Sequence, residues 1–117
     1  MRKKDTAASI GSGALSVYGT PTMIAMMEKA SVECIKNSIK EGYSSVGVEV
    51  NVKHLSASPV GIKIRTISEV TNISDDGKFI SFKVMAYDEK GLIGEGTHVR
   101  AIVFVEKFLS RCQSKLE

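Results

Sequence analysis

Three side chains carry the chemistry this chain could do: His54, Glu28 and Thr20. His54 closes the run Val46-Gly47-Val48-Glu49-Val50-Asn51-Val52-Lys53-His54, in which valines alternate with small, polar or charged residues. Strand side chains alternate between faces, so the imidazole is expected on the face the valines use. An imidazole at the end of an apolar strand face needs a polar neighbour. It is either a satisfied core histidine or a group that moves protons. Glu28 falls in a segment of helical periodicity, beside Ile24, Ser31, Ile35 and Ile39 and away from the lysines. A carboxylate at such a margin is partly desolvated, which in general makes it a better base. Thr20 stands just before Pro21, where a helix begins. Its plain role is to cap the helix. A hydroxyl there also lies beside backbone N–H groups without helical partners, a place that favours a developing negative oxygen.

The elements that must position these residues follow from periodicity. Met23, Ile24, Met27, Ala30, Ser31, Cys34, Ile35 and Ser38 recur at helical spacing, and Gly42 is a natural stop. The expectation is one long helix of roughly twenty residues, with Ala14–Tyr18 as a short strand before it. Four strands are expected after it. They are the valine run, then Gly61–Ile67, Lys78–Tyr87 and about Leu92–Val105. Ser74-Asp75-Asp76-Gly77 and Asp88-Glu89-Lys90-Gly91 read as tight turns, which make the sheet antiparallel. The fold class is therefore α+β, one sheet wrapped around one helix. All 117 residues fit a single domain, with residues 1–13 as a flexible arm, frayed or loosely docked.

Composition narrows the partners. Sixteen Lys and Arg face thirteen Asp and Glu, a net charge of +3. That is too weak and too dispersed for nucleic acid, though it suits a phosphate-bearing small ligand. Lys63, Arg65 and Arg100 are expected on the solvent side of their strands, where they could meet such phosphates. His98, of opposite parity to Thr97 and Val99, is expected at the outer face or an interface in a structural role. The two cysteines, Cys34 and Cys112, have no metal-ligand spacing and are read as reduced thiols in a cytoplasmic protein. No apolar run is long enough for a membrane span, and no metal-binding cluster is expected.

Three stretches resemble the fluoroacetyl-CoA thioesterase family. They are Val17-Tyr18-Gly19-Thr20-Pro21-Thr22-Met23 with Glu28, then Gly47 to His54 followed by Ala57-Ser58-Pro59-Val60-Gly61, and Gly94-Glu95-Gly96-Thr97-His98-Val99-Arg100-Ala101 with Glu106-Lys107-Phe108. The likeness runs from Leu15 to Phe108. It implies a hotdog fold and acyl-CoA thioester hydrolysis. It further implies that no cofactor is needed beyond the coenzyme A of the substrate, and a homodimer or higher homo-oligomer with composite sites at the subunit interface. The family's catalytic threonine, glutamate and histidine fall on Thr20, Glu28 and His54. Gly47 matches a glycine of its active-site strand, and Arg100 is the cation expected to bind substrate. Two assignments stay open. Glu28 activates water or attacks directly, with His54 moving protons, or Thr20 is the nucleophile and His54 its base. Two alternative functions also stand: a binding protein for acyl-CoA or a small ligand without turnover, and a dehydratase acting on 3-hydroxyacyl thioesters.

Overall fold

The computed structural model describes residues 1–117. Four antiparallel strands form one sheet: β1 (Tyr43–His54), β2 (Arg65–Ile73), β3 (Phe79–Asp88) and β4 (Gly91–Phe104). Their order across the sheet is β1-β4-β3-β2, so the chain crosses from one edge to the other between β1 and β2. The hairpin turns fall where the Asp- and Gly-rich stretches predict them. Gly77 and Gly91 take positive φ of 73° and 140°, conformations that L side chains rarely adopt.

The helix α2 spans Thr20–Ile35 and tightens into a 3-10 turn at Lys36–Ser38, so it is shorter than its sequence signals imply. Its buried face is Met23, Met27, Ser31 and Ile35, a strict four-residue spacing. Cys34 and Ser38, expected on that stripe, are exposed. The helix packs over Phe82, Val84, Ala86 and Ile93, which with Tyr18, Met23, Met27, Ile35 and Ile80 make the core. Ser31 ties the helix to β2 through a 2.8 Å bond with Ser68. Gly94 lets the Met23 sulfur settle on β4 where a Cβ would collide.

Several local expectations change. Ala14–Tyr18 is not a strand; it makes isolated bridges, Thr6 to Tyr18 and Val17 to Pro59. Residues 1–13 are docked. A 3-10 turn at Lys3–Asp5 and the short helix α1 (Ala7–Ile10) are held by Ala7 N–H to Val17 carbonyl and Gly19 N–H to Asp5 carbonyl bonds. The Met1 ammonium donates to the Ile62 carbonyl at 2.6 Å. After β4 the chain enters a helix, α3 (Val105–Gln113). No helix is long and apolar enough to cross a membrane. Cys34 and Cys112 are exposed free thiols.

The consequential change lies in β1. The register against β4 shifts between Gly47 and Glu49, leaving Val48 as the extra residue of a bulge. Directly opposed residues share a face. Tyr43, Ser45 and Gly47 face Phe104, Ile102 and Arg100, while Val50, Val52 and His54 face His98, Gly96 and Gly94. Unbroken alternation would put Val46 with His54. The bulge swaps the first half of the strand instead, bringing Ser45 and Gly47 to the helix side.

Candidate active site

His54 does face the helix. Its Nδ1 lies 2.8 Å from Thr20 Oγ1. Thr20 is the first residue of α2 with Gly19 as cap, and its side chain makes no capping bond. The hydroxyl is thereby left to the imidazole. Burial pushes the His54 pKa down from its usual value, so the ring is neutral near pH 7 and its Nδ1 can accept the Thr20 proton. The proton then sits on Nε2, which is buried with no partner in the chain. The first turn of α2 adds N–H groups of Thr20 and Thr22 that lack helical acceptors, Pro21 between them having none.

These groups open on a cleft of about 280 Å³ lined by Ala7, Ser12, Tyr18, Thr20, His54 and Ser56 among others. Its walls are fixed. Ser58, fully buried, donates to Asp88 at 2.8 Å and its carbonyl accepts the Tyr18 N–H. The Tyr18 ring meets His54 edge-on at 6.2 Å, and burial, with Asp5 nearby, raises the phenol pKa to about 12.

Glu28 is elsewhere. It stands eight residues beyond Thr20, about 12 Å along the axis. Its carboxylate lies over Gly47, where an added Cβ would sit 2.7 Å from Oε2. Gly47 in turn is on the order of 20 Å along β1 from His54. Within one chain, then, Thr20 and His54 meet, while Glu28 and Gly47 form a second cluster.

Arg100 belongs to that second cluster, and its expected solvent-facing position is corrected. It pairs opposite Gly47 on the helix side and is 6% exposed. Its Nε donates to Ser45 Oγ at 2.8 Å, and NH2 to the Ser45 carbonyl at 3.1 Å. NH1 reaches Glu28 Oε2 at 3.3 Å and His98 Nε2 at 3.1 Å. His98 is likewise inside rather than on the outer face, 1% exposed, with Phe82 stacked on it. Lys63 and Arg65 are exposed as expected, Arg65 over the Tyr87 ring. Sequence reasoning missed Ser45 and the inward turn of Arg100 and His98. The available signal was Gly47 inside an otherwise regular strand, a common mark of a bulge or a close approach. No group of three His, Cys, Asp or Glu side chains is arranged to hold a metal.

The architecture is that of a hotdog protein. A hot-dog-like protein from Thermanaerovibrio acidaminovorans superposes with a TM-score of 0.90 at 23% identity, covering 100% of this chain and 85% of that one. Residues 1–106 match the fluoroacetyl-CoA-specific thioesterase family, and the chain belongs to it. The fluoroacetyl-CoA thioesterase of Streptantibioticus cattleyicolor is 32% identical over 99 residues, 85% of this chain and 70% of that protein. A crystal structure of a single-site mutant of the fluoroacetyl-CoA-specific thioesterase, in complex with fluoroacetate and CoA, gives a TM-score of 0.91 at 28% identity. It covers 99% of this chain and 94% of that one.

Proposed function

We propose that the protein is an acyl-CoA thioesterase whose reaction centre combines Thr20 and His54 of one chain with Glu28 of a second copy. The observation that carries this reading is the 2.8 Å Thr20–His54 contact, with the far imidazole nitrogen left unpartnered. Family membership and the CoA complex of a relative support the substrate class.

In this reading Thr20 Oγ1 gives its proton to His54 Nδ1 and bonds to the thioester carbonyl carbon. The oxyanion is held by the amides at the start of α2. The C–S bond breaks, and the CoA thiolate takes the proton from Nδ1. Water, deprotonated by the same nitrogen, cleaves the acyl-threonine ester and restores the hydroxyl. Side chains and water suffice, and coenzyme A enters only as part of the substrate. The contact favours Thr20 as nucleophile over direct attack by Glu28.

The second copy follows from the edge of the sheet. β1 has an open side, with Val48 52% and Val50 39% exposed. Antiparallel pairing of β1 with itself about Asn51 sets Val50 opposite Val52, and Glu49 opposite Lys53 of the other copy. With Val48 bulged in both strands, Gly47 then falls opposite His54. Every facing pair shares a face, and the charges are complementary. The Glu28 carboxylate over Gly47 thus comes beside the second copy's His54, and reaches its unpartnered Nε2–H once the cover of that nitrogen within its own chain shifts. Exchanging charge tests this register. Glu49→Lys should weaken the dimer in sedimentation, by about 0.2–1 kcal/mol for each of the two pairs. Adding Lys53→Glu should restore it.

A carboxylate against Nε2 favours the imidazolium, whereas burial alone disfavours it. In Glu28→Gln the His54 ring should therefore titrate lower than in the parent protein, and below the usual histidine value. NMR of the ring protons measures both; equal midpoints would remove Glu28 from the site.

Thiol release across an acyl-CoA series tests the function itself. The cleft is small beside usual ligand pockets of roughly 300–1,000 Å³. Turnover is expected for short acyl groups, with kcat/KM falling beyond about four carbons. Tight binding without release of any thiol would favour a binding protein, and hydration of an enoyl thioester a dehydratase. Two exposed free thiols accord with a cytoplasmic setting.

A further inference from the structure

We infer that His98 is a positioning residue that sets the Glu28 carboxylate for use by the second copy; the inference rests on the proposed role of Glu28. Glu28 itself is lightly held. Its side chain is 41% exposed, and its one ion-pair partner is Arg100. Where the carboxylate points is therefore decided by where the guanidinium is fixed.

That guanidinium is fixed on two sides. Ser45 takes Nε and NH2, leaving NH1 to aim at Glu28. NH1 also lies 3.1 Å from His98 Nε2. A guanidinium nitrogen can only donate, so Nε2 must be the unprotonated nitrogen of the ring. The ring proton is then on Nδ1, which donates to the Glu49 carbonyl at 2.8 Å. Both nitrogens are assigned by their partners, and a single tautomer satisfies them. An imidazolium would set one donor against another and expel NH1 from its place.

The Glu49 carbonyl gives His98 a second hold. It lies at the bulge of β1, where the strand changes face. One buried ring thus pins both the backbone step that turns Gly47 under Glu28 and the cation that orients Glu28. Phe82 stacked on the ring, centroids 6.0 Å apart, keeps it from rotating. His98 touches neither the cleft residues nor the Thr20–His54 pair, so it acts on the reaction only through Arg100 and Glu28.

The test uses the assembled protein and compares His98→Phe, which keeps the aromatic shape, with His98→Gln, whose side-chain oxygen can again accept from Arg100. His98→Phe should lower kcat at least ~10-fold with KM within ~2-fold, and His98→Gln should recover most of the loss. Subunit mixing adds a readout that simple destabilisation would not move. His98→Phe chains mixed with His54→Ala chains should regain turnover, since the heterodimer has one site with Thr20, His54 and a properly held Glu28. Mixed with Glu28→Gln chains they should not. Equal recovery in both mixtures, or a folded His98→Phe protein with unchanged kcat, overturns the inference. If Glu28→Gln is itself fully active, the reading of Glu28 fails instead.

Discussion

Thr20→Ala, His54→Ala and Glu28→Gln are each expected to lower kcat/KM by at least ~100-fold, the usual scale for groups that transfer or steady a proton in the transition state. Thiol release from a short acyl-CoA measures it, and Thr20→Ser, which keeps the hydroxyl, retains much of the rate. Mixing adds a sharper result. His54→Ala and Glu28→Gln chains, each inactive alone, are refolded together. Random pairing of a two-fold dimer makes half the assemblies mixed, each with one complete site, so about a quarter of the parent activity returns. No recovery at all would mean that Glu28 serves its own chain. An acyl adduct on the peptide that carries Thr20, trapped by rapid quenching and weighed, reports the nucleophile; an adduct on Glu28 would reverse that assignment.

Gly47→Val is expected to lower activity on a similar scale, about 100-fold. Gly47 does not take positive φ, so its backbone does not require glycine. What it supplies is space. A Cβ would stand 2.7 Å from Glu28 Oε2 and 3.3 Å from His98 Cε1. The nearer atom is the free end of a flexible side chain, which can swing away at little cost to stability. The carboxylate therefore leaves its place while the sheet persists. Gly47→Ala falls between the two proteins in rate with a thermal midpoint close to the parent, whereas the γ-methyls of valine also press on the buried His98 and Arg100 and lower the midpoint. A valine variant of normal activity would show that the carboxylate does not work from that spot.

The antiparallel sheet was legible in the sequence because its signals are local. Alternation marks the strands, and Asp-rich turns with glycine mark the hairpins. The helix was legible for the same reason, down to Pro21 in its first turn. The pairing of Thr20 with His54 needed more, since the two residues are 34 positions apart. Periodicity put His54 on the correct face only because the bulge lies upstream of it. The same rule misplaced Arg100 and His98. An arginine on a strand is normally solvated, and nothing local tells that Ser45, Glu28 and a second imidazole will receive it. The docked arm was missed for a related reason: its order comes from backbone bonds to residues 17–19 and 62, not from an apolar pattern of its own. The α-helix ran short because its last turn tightens into the 3-10 geometry of Lys36–Ser38, which still carries Ile39 against the core.

The bulge also makes Val48 a place in β1 where neither spelling nor counting decides which residues face the helix. Val48 is half exposed and opposes no residue of β4. Many side chains should be tolerated there, and shortening the strand by that one position would return it to simple alternation with the same facing pairs. Glu49 alone would then stand between Gly47 and Val50, as Val99 does between Arg100 and His98, so Gly47 and Ser45 would keep their places under the helix and only the local bend of the bulge would be lost. Sequence drift at this point is thus cheap, and a single-codon deletion of Val48 is expected to spare the pairing of β1 with β4.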